Sequence, residues 1–225
     1  MRERGACGIG FVADARGRAS RELVDLALEA LCRVRHRGAV AADRRTGDGA
    51  GLLLSLPRAL IPSPWCGLAM VFVRDEAARE RIELACAAEG IEHFGWRSVP
   101  IVPEALGEAA QASIPHIEQL VLRRPPGTTL DEAERRAFRA RKRAERVPGA
   151  YVCSLSFRTV TYKALCAAAQ LARFYPDLED PELAVPFAIF HQRFSTNTEP
   201  SWERAQPFRL LCHNGEINTI DGNVT

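Results

Sequence analysis

Lysine is nearly missing from this chain: of its 30 basic residues 28 are Arg, and Lys142 and Lys163 are the only Lys. Arginine is the default cation here, so its abundance says little about a binding surface. The formal charge of +2 leaves no excess of one sign, which excludes the basic footprint of a general nucleic-acid binder and the composition of an acidic tail. No Cys-x-x-Cys occurs. The seven cysteines (Cys7, Cys32, Cys66, Cys86, Cys153, Cys166 and Cys212) are odd in number and irregular in spacing, which argues against a disulfide framework and against a zinc or iron–sulfur site. The five histidines supply no i, i+4 pair, so no metal is expected. No window approaches the roughly 18 consecutive apolar residues of a membrane span, and the opening MRERGACGIGFVAD lacks the apolar run and cleavage site of a secretory signal. These absences point to a cytoplasmic chain with neither membrane nor nucleic acid as partner.

What is present is an ordinary globular composition. With 47% hydrophobic and 26% charged residues, 225 residues make one large domain or two small ones. A chain of this size hides about 70% of its extended surface, enough for a core that needs neither disulfide nor metal. Strands are predicted in residues 7–14, 52–57, 67–73, 94–102, 116–123, 150–157, 159–163, 184–194 and 208–217. Helices are predicted from the N-cap Ser20 to Gly38, over 75–90 with its stop at Gly90, and near 130–146 and 164–175. Strands outnumber helices and come in runs, a pattern that favours an α+β protein with antiparallel sheets over a doubly wound parallel one.

Some clusters are chemically plain. Between Arg123 and Arg146 nine basic residues face four acidic ones, but Asp131, Glu132 and Glu134 sit in the first helical turn, where the macrodipole favours them. A solvated helix face accounts for that run. The stretch TGDGAG, from Thr46 to Gly51, has neither the spacing of a Walker loop nor that of a dinucleotide fingerprint, and reads as a tight turn with close backbone packing.

Two regions carry more. Cys7, between Ala6 and Gly8, stands at the mouth of a strand. If residues 1–6 are removed, it carries a free α-amino group of pKa about 7.7–8.0 beside its thiol, nucleophile and base in one residue. Near the other end, Arg193 closes an apolar strand and offers a planar fork for a carboxylate. Asn214 and Gly215 follow a second apolar run and offer the side-chain amide and unhindered N–H that an oxyanion needs. Taken singly, the same residues also read as a core cysteine, a surface Arg and an Asn-Gly hairpin turn.

Together the segments ACGIGF, RHRGAVAAD, TGDGAG, CSLSFRTVTYKA, FYPDLED, HQRFSTNTEPSWERAQPFR and CHNGEINTIDGN resemble the N-terminal class II glutamine amidotransferase domain, of the N-terminal-nucleophile type, of the glutamate synthase large subunit. The resemblance implies a four-layer α/β/β/α sandwich of two antiparallel sheets. It implies that residues 1–6 are a propeptide and that 7–225 form the amidotransferase domain, cut before its end, with the Asp that grips the substrate ammonium falling beyond Thr225. Position by position, Cys7 matches the nucleophile, Asn214 and Gly215 the oxyanion hole, and Arg193 the residue that holds the glutamine α-carboxylate. Glu216 falls where relatives line the amino-acid end of the substrate. Where the family reads Tyr-Lys-Gly this chain has Tyr162, Lys163 and Ala164.

The activity so implied is hydrolysis of L-glutamine to glutamate and ammonia, the ammonia serving glutamate synthesis from 2-oxoglutarate. FMN and an iron–sulfur cluster are implied for the complete enzyme and no cofactor for this stretch. The partners implied are the synthase domains of the same chain and a small electron-donor subunit or ferredoxin. Two alternatives stand beside this reading: the amidotransferase domain of another class II enzyme, and an inactive fragment that only binds.

Overall fold

A computed structural model describes residues 8–43, 45–193 and 199–209. The first element is strand β1 (Ile9–Ala13). Ser20 then takes an extended backbone and its hydroxyl accepts the Leu23 N–H at 3.3 Å, which starts helix α1 (Arg21–Arg33). The helix stops at Arg33 and a single 3₁₀ turn over Arg35–Arg37 carries the chain to Gly38. Strands β2 (Ala50–Ser55) and β3 (Cys66–Val73) follow, then helix α2 (Ala77–Ala87), strand β4 (Glu92–Ser98) and the one-turn helix α3 (Glu108–Gln111). Strand β5 (His116–Arg123), helix α4 (Leu130–Ala144), strands β6 (Ala150–Ser156) and β7 (Thr159–Ala164), the one-turn helix α5 (Leu171–Phe174) and strand β8 (Phe187–Gln192) complete the described strands and α-helices.

The strands form two antiparallel four-stranded sheets, ordered β1-β8-β2-β7 and β4-β5-β3-β6. The α+β sandwich expected from the sequence is the fold observed. Strand β3 shows how the layers are made. Its side chains alternate between faces, as a pleated strand requires. Leu68, Met70 and Phe72 enter one core with Leu52, Leu54, Val160 and Tyr162, to which α1 adds Leu23, Val24, Ala27 and Leu31. Ala69, Val71 and Val73 enter a second core with Ile82 of α2 and Ala133, Ala137, Ala140 and Ala144 of α4. Helix α1 lies on the first sheet at β1 and β8, and α2 and α4 cover the far face of the second.

Helix α4 resolves the basic run. Its four alanines recur at helical spacing and face the sheet, leaving the arginines on the other side. Arg139 and Arg143 both reach the buried carboxylate of Glu89, at 2.6 and 3.1 Å. The helix predicted near 164–175 is different in the structure. Strand β7 runs on through Ala164, which pairs with Ala50, and only a 3₁₀ turn over Ala168–Gln170 and the four residues of α5 are helical. The cause is tertiary: the Tyr175 hydroxyl donates to the Lys163 carbonyl at 2.8 Å, tying the far end of the segment back to the sheet. The strand predicted over 208–217 lies outside the described residues from position 210 onward.

Candidate active site

At the end of β8 Gln192, which precedes Arg193, meets Gly8, which follows Cys7. This strand is central, with β1 on one side and β2 on the other. At its last residues the backbone N–H groups point alternately to the two neighbours. Gln192 N–H donates to the Gly8 carbonyl at 2.6 Å, and Arg193 N–H donates to the Gly49 carbonyl at 2.8 Å. Gly8 is the residue after Cys7, so the start of β1 is tied to the residue beside Arg193. A side chain could not replace the hydrogen of Gly8: a Cβ there would overlap the Gln192 carbonyl oxygen.

Arg193 is buried, 8% exposed, and its Nη1 donates to the Asp48 carbonyl at 3.3 Å. Burial lowers the guanidinium pKa and the Asp48 carboxylate opposes that shift. The group remains a cation at any working pH.

Residues 39–43 and 45–49 flank this strand end. Ala41 N–H donates to the Thr46 carbonyl at 2.8 Å and Asp48 N–H to the Ala39 carbonyl at 3.2 Å, closing the loop. At the loop tip the Asp43 carboxylate accepts the Thr46 N–H at 2.7 Å and also the Thr46 hydroxyl, and these bonds hold its pKa down to about 2. Gly49 takes φ of +127°, open to glycine and strained for other residues. The tight, closely packed turn read from TGDGAG is therefore what the chain builds.

The segment after residue 198 is anchored independently. Trp202 is buried edge-on against Phe72 at 5.8 Å, and its Nε1 donates to the Ser113 hydroxyl at 3.2 Å. The Lys163 ammonium donates to the carbonyls of Glu203 and Ala205, each at 2.8 Å, and to the Tyr151 hydroxyl at 3.0 Å. Arg209 pairs with Glu134 of α4. These contacts anchor residues 202–209, and the predicted oxyanion residue Asn214 stands five positions further on, outside the described residues.

Of the site residues read from the sequence, Arg193 is described and stands where β1, β2 and β8 converge. Cys7, Asn214, Gly215 and Glu216 lie outside the described residues. Sequence reasoning passed over Gln192, whose buried side chain binds three segments around Arg193, and Asp48, whose carbonyl the guanidinium grips. The resemblance segments HQRF and TGDGAG contain both, but residue type alone gives neither a role. Among the described residues no three His, Cys, Asp or Glu come together as a metal would require, and no described helix is long and apolar enough to cross a membrane.

Comparison with known proteins agrees with this arrangement. Residues 7–225 match the family model of the class-II glutamine amidotransferases. The chain is 43% identical over 246 residues to ferredoxin-dependent glutamate synthase 2 of Synechocystis sp., covering 100% of this chain and 16% of that protein. It is 41% identical over 245 residues to the glutamate synthase [NADPH] large chain of Azospirillum brasilense, covering 99% and 16%. With the ferredoxin-dependent glutamate synthase of Pyropia yezoensis the identity is 40% over 247 residues, covering 99% and 16%. The chain thus spans about one sixth of the length of these curated relatives. By the family model, with the antiparallel sandwich and the convergent strand ends in agreement, this chain belongs to the class-II glutamine amidotransferases.

Proposed function

We propose that this chain hydrolyses the side-chain amide of L-glutamine, with Cys7 as N-terminal nucleophile after removal of residues 1–6, and with residues 7–225 belonging to the amidotransferase domain. The observation that carries the reading is the 2.6 Å bond between Gly8 and Gln192, because it joins the immediate neighbours of the two groups such chemistry needs, the thiol of Cys7 and the guanidinium of Arg193.

In this mechanism the free α-amine takes the thiol proton, and the thiolate adds to the amide carbon. Asn214 and Gly215 donate to the oxyanion. The C–N bond breaks as the ammonium returns its proton to the leaving nitrogen, and ammonia departs. Water, deprotonated by the same amine, then attacks the γ-glutamyl thioester; the C–S bond breaks, glutamate leaves and the sulfur regains its proton. Arg193 holds the α-carboxylate bidentately, and Glu216 lines the amino-acid end of the substrate.

The relatives named as glutamate synthases support a destination for the ammonia: glutamate formation from 2-oxoglutarate in further domains of the same protein, with ferredoxin or a small electron-donor subunit as redox partner. FMN and an iron–sulfur cluster belong to those domains in this reading. The described residues offer no converging ligand set for a cluster, and no step here passes through either group. The five described cysteines are free thiols.

Intact mass measurement tests the reading. The active protein should begin at Cys7 and gain one adduct at that residue from a glutamine-analogue diazoketone. A protein that hydrolyses glutamine with its first six residues still attached overturns it.

A further inference from the structure

We propose that Gln192 is the positioning residue for Arg193, setting the affinity for the α-carboxylate of glutamine through the two N–H groups of its side-chain amide; this rests on the proposed role of Arg193. The carboxamide is 2% exposed and its bonds converge on one place. Nε2 donates to the Gly49 carbonyl at 3.1 Å and to the Arg193 carbonyl at 3.3 Å, while Oε1 accepts the Ala168 N–H at 2.8 Å. Both donors are thus spent on the backbone that flanks the guanidinium. The Arg193 carbonyl is held by the neighbouring side chain, which fixes the peptide plane where β8 ends. The Gly49 carbonyl accepts from both Gln192 Nε2 and Arg193 N–H, so both lone pairs are engaged. The residue before Gly49, Asp48, supplies the carbonyl that Arg193 Nη1 grips.

The near neighbours of glutamine in shape do not satisfy this geometry. Glutamate has the shape of glutamine but no donor when ionised, and would set negative oxygens against two carbonyl oxygens. Asparagine is one methylene short. Methionine fills the volume and makes none of the three bonds. The fit leaves no slack either, for Gly38 packs on the side chain so closely that a Cβ at position 38 would stand 2.6 Å from the Gln192 Cδ.

The test uses the intact natural protein, with Gln192→Glu and Gln192→Met compared with wild type for glutamine hydrolysis and for inactivation by the diazoketone. Losing hydrogen bonds of ordinary strength around the guanidinium should raise the glutamine KM, and the diazoketone concentration for half-maximal inactivation, about tenfold, with kcat changed by less than about threefold. Glu keeps an acceptor for Ala168 but loses the donors and sets its charge against the two carbonyls, so its KM should rise at least as much as that of Met. Thermal melts accompany both variants. If either folds with a wild-type KM, or if kcat falls while KM holds, the positioning role is overturned. If instead the wild-type protein is not labelled at Cys7, the active-site reading itself fails, a result separable from the first.

Discussion

Lys163 gives the most quantitative test of how the segment leading to residue 209 is held. Its ammonium is 1% exposed, donates to two carbonyls and one hydroxyl, and lies 4.4 Å from the Tyr151 ring centre and 4.7 Å from that of Phe208. Burial pulls its pKa down from 10.5 to about 8, with the charge of Glu203 opposing more weakly. Below about pH 8 folded and unfolded chains both carry this proton and the group adds no slope. Between about 8 and 10.5 the unfolded chain binds a proton that the folded chain has shed, so this group makes stability rise with pH by about 1.4 kcal/mol per pH unit, or about 3 kcal/mol across the window. The Cys153 thiol, pushed up by burial to about 12, stays neutral throughout. In Lys163→Met the titrating group is gone, and the remaining groups cancel in the difference between the two proteins. Urea melts of both chains at several pH values from about 7 to 10.5 should show wild type gaining on the variant by about 3 kcal/mol, almost all of it above pH 8. A difference that stays flat over that range would refute the reasoning, because it would mean that Lys163 titrates alike in both states.

Three further outcomes follow from the proposed site. Asn214→Ala in the intact protein should lower glutamine turnover by about two to three orders of magnitude, the usual effect of losing one oxyanion donor, while Cys7 still takes the diazoketone; a wild-type rate removes Asn214 from the oxyanion hole. Arg193→Lys should raise the glutamine KM, since an ammonium cannot reproduce the planar fork, and an unchanged KM in steady-state kinetics removes Arg193 from the carboxylate site. Gly8→Ala puts a methyl group against the Gln192 carbonyl oxygen and should displace the start of β1, abolishing Cys7 labelling by the diazoketone; labelling at the wild-type rate would show that the Gly8–Gln192 bond is dispensable.

Much of the fold was legible because local chemistry and burial agree. Ser20 caps α1 through its own hydroxyl, and Gly90, at φ of +69°, ends the turn after α2. The unbroken apolar run 67–73 is buried on both faces, because β3 lies inside its sheet with a core on either side. Residues 164–175 were misread because their helical preference competes with a ladder partner, Ala50, and with the Tyr175–Lys163 bond, neither of which is local. The site divides in the same way. The place of Arg193 at the end of a strand was legible from the apolar run before it. Gln192 was not, since a single polar residue near the end of an apolar strand has no signature until Gly49, 143 positions away, and Ala168, 24 positions away, are known to be its partners.

The glycines around this strand end give a common reason for the pattern. Gly8 and Gly38 both abut Gln192, the one at its carbonyl oxygen and the other along its side chain. Gly49 presents to Arg193 and to the Gln192 amide a carbonyl that its left-handed backbone makes available. Gly8 lets main chain approach main chain and Gly38 lets it approach the Gln192 side chain, so the backbone beside Arg193 is set by close packing at the strand ends. Such a frame holds its geometry before a substrate arrives, and binding then orders fewer rotors. It also accounts for the cost accepted in burying Arg193. Burial disfavours the charged guanidinium and the Asp48 carboxylate offsets part of that, and in the proposed function a substrate carboxylate would add charge-assisted hydrogen bonds to it. Arg193 in this frame is therefore expected to favour anionic ligands over neutral amides of equal size, and glutamine over its decarboxylated analogue.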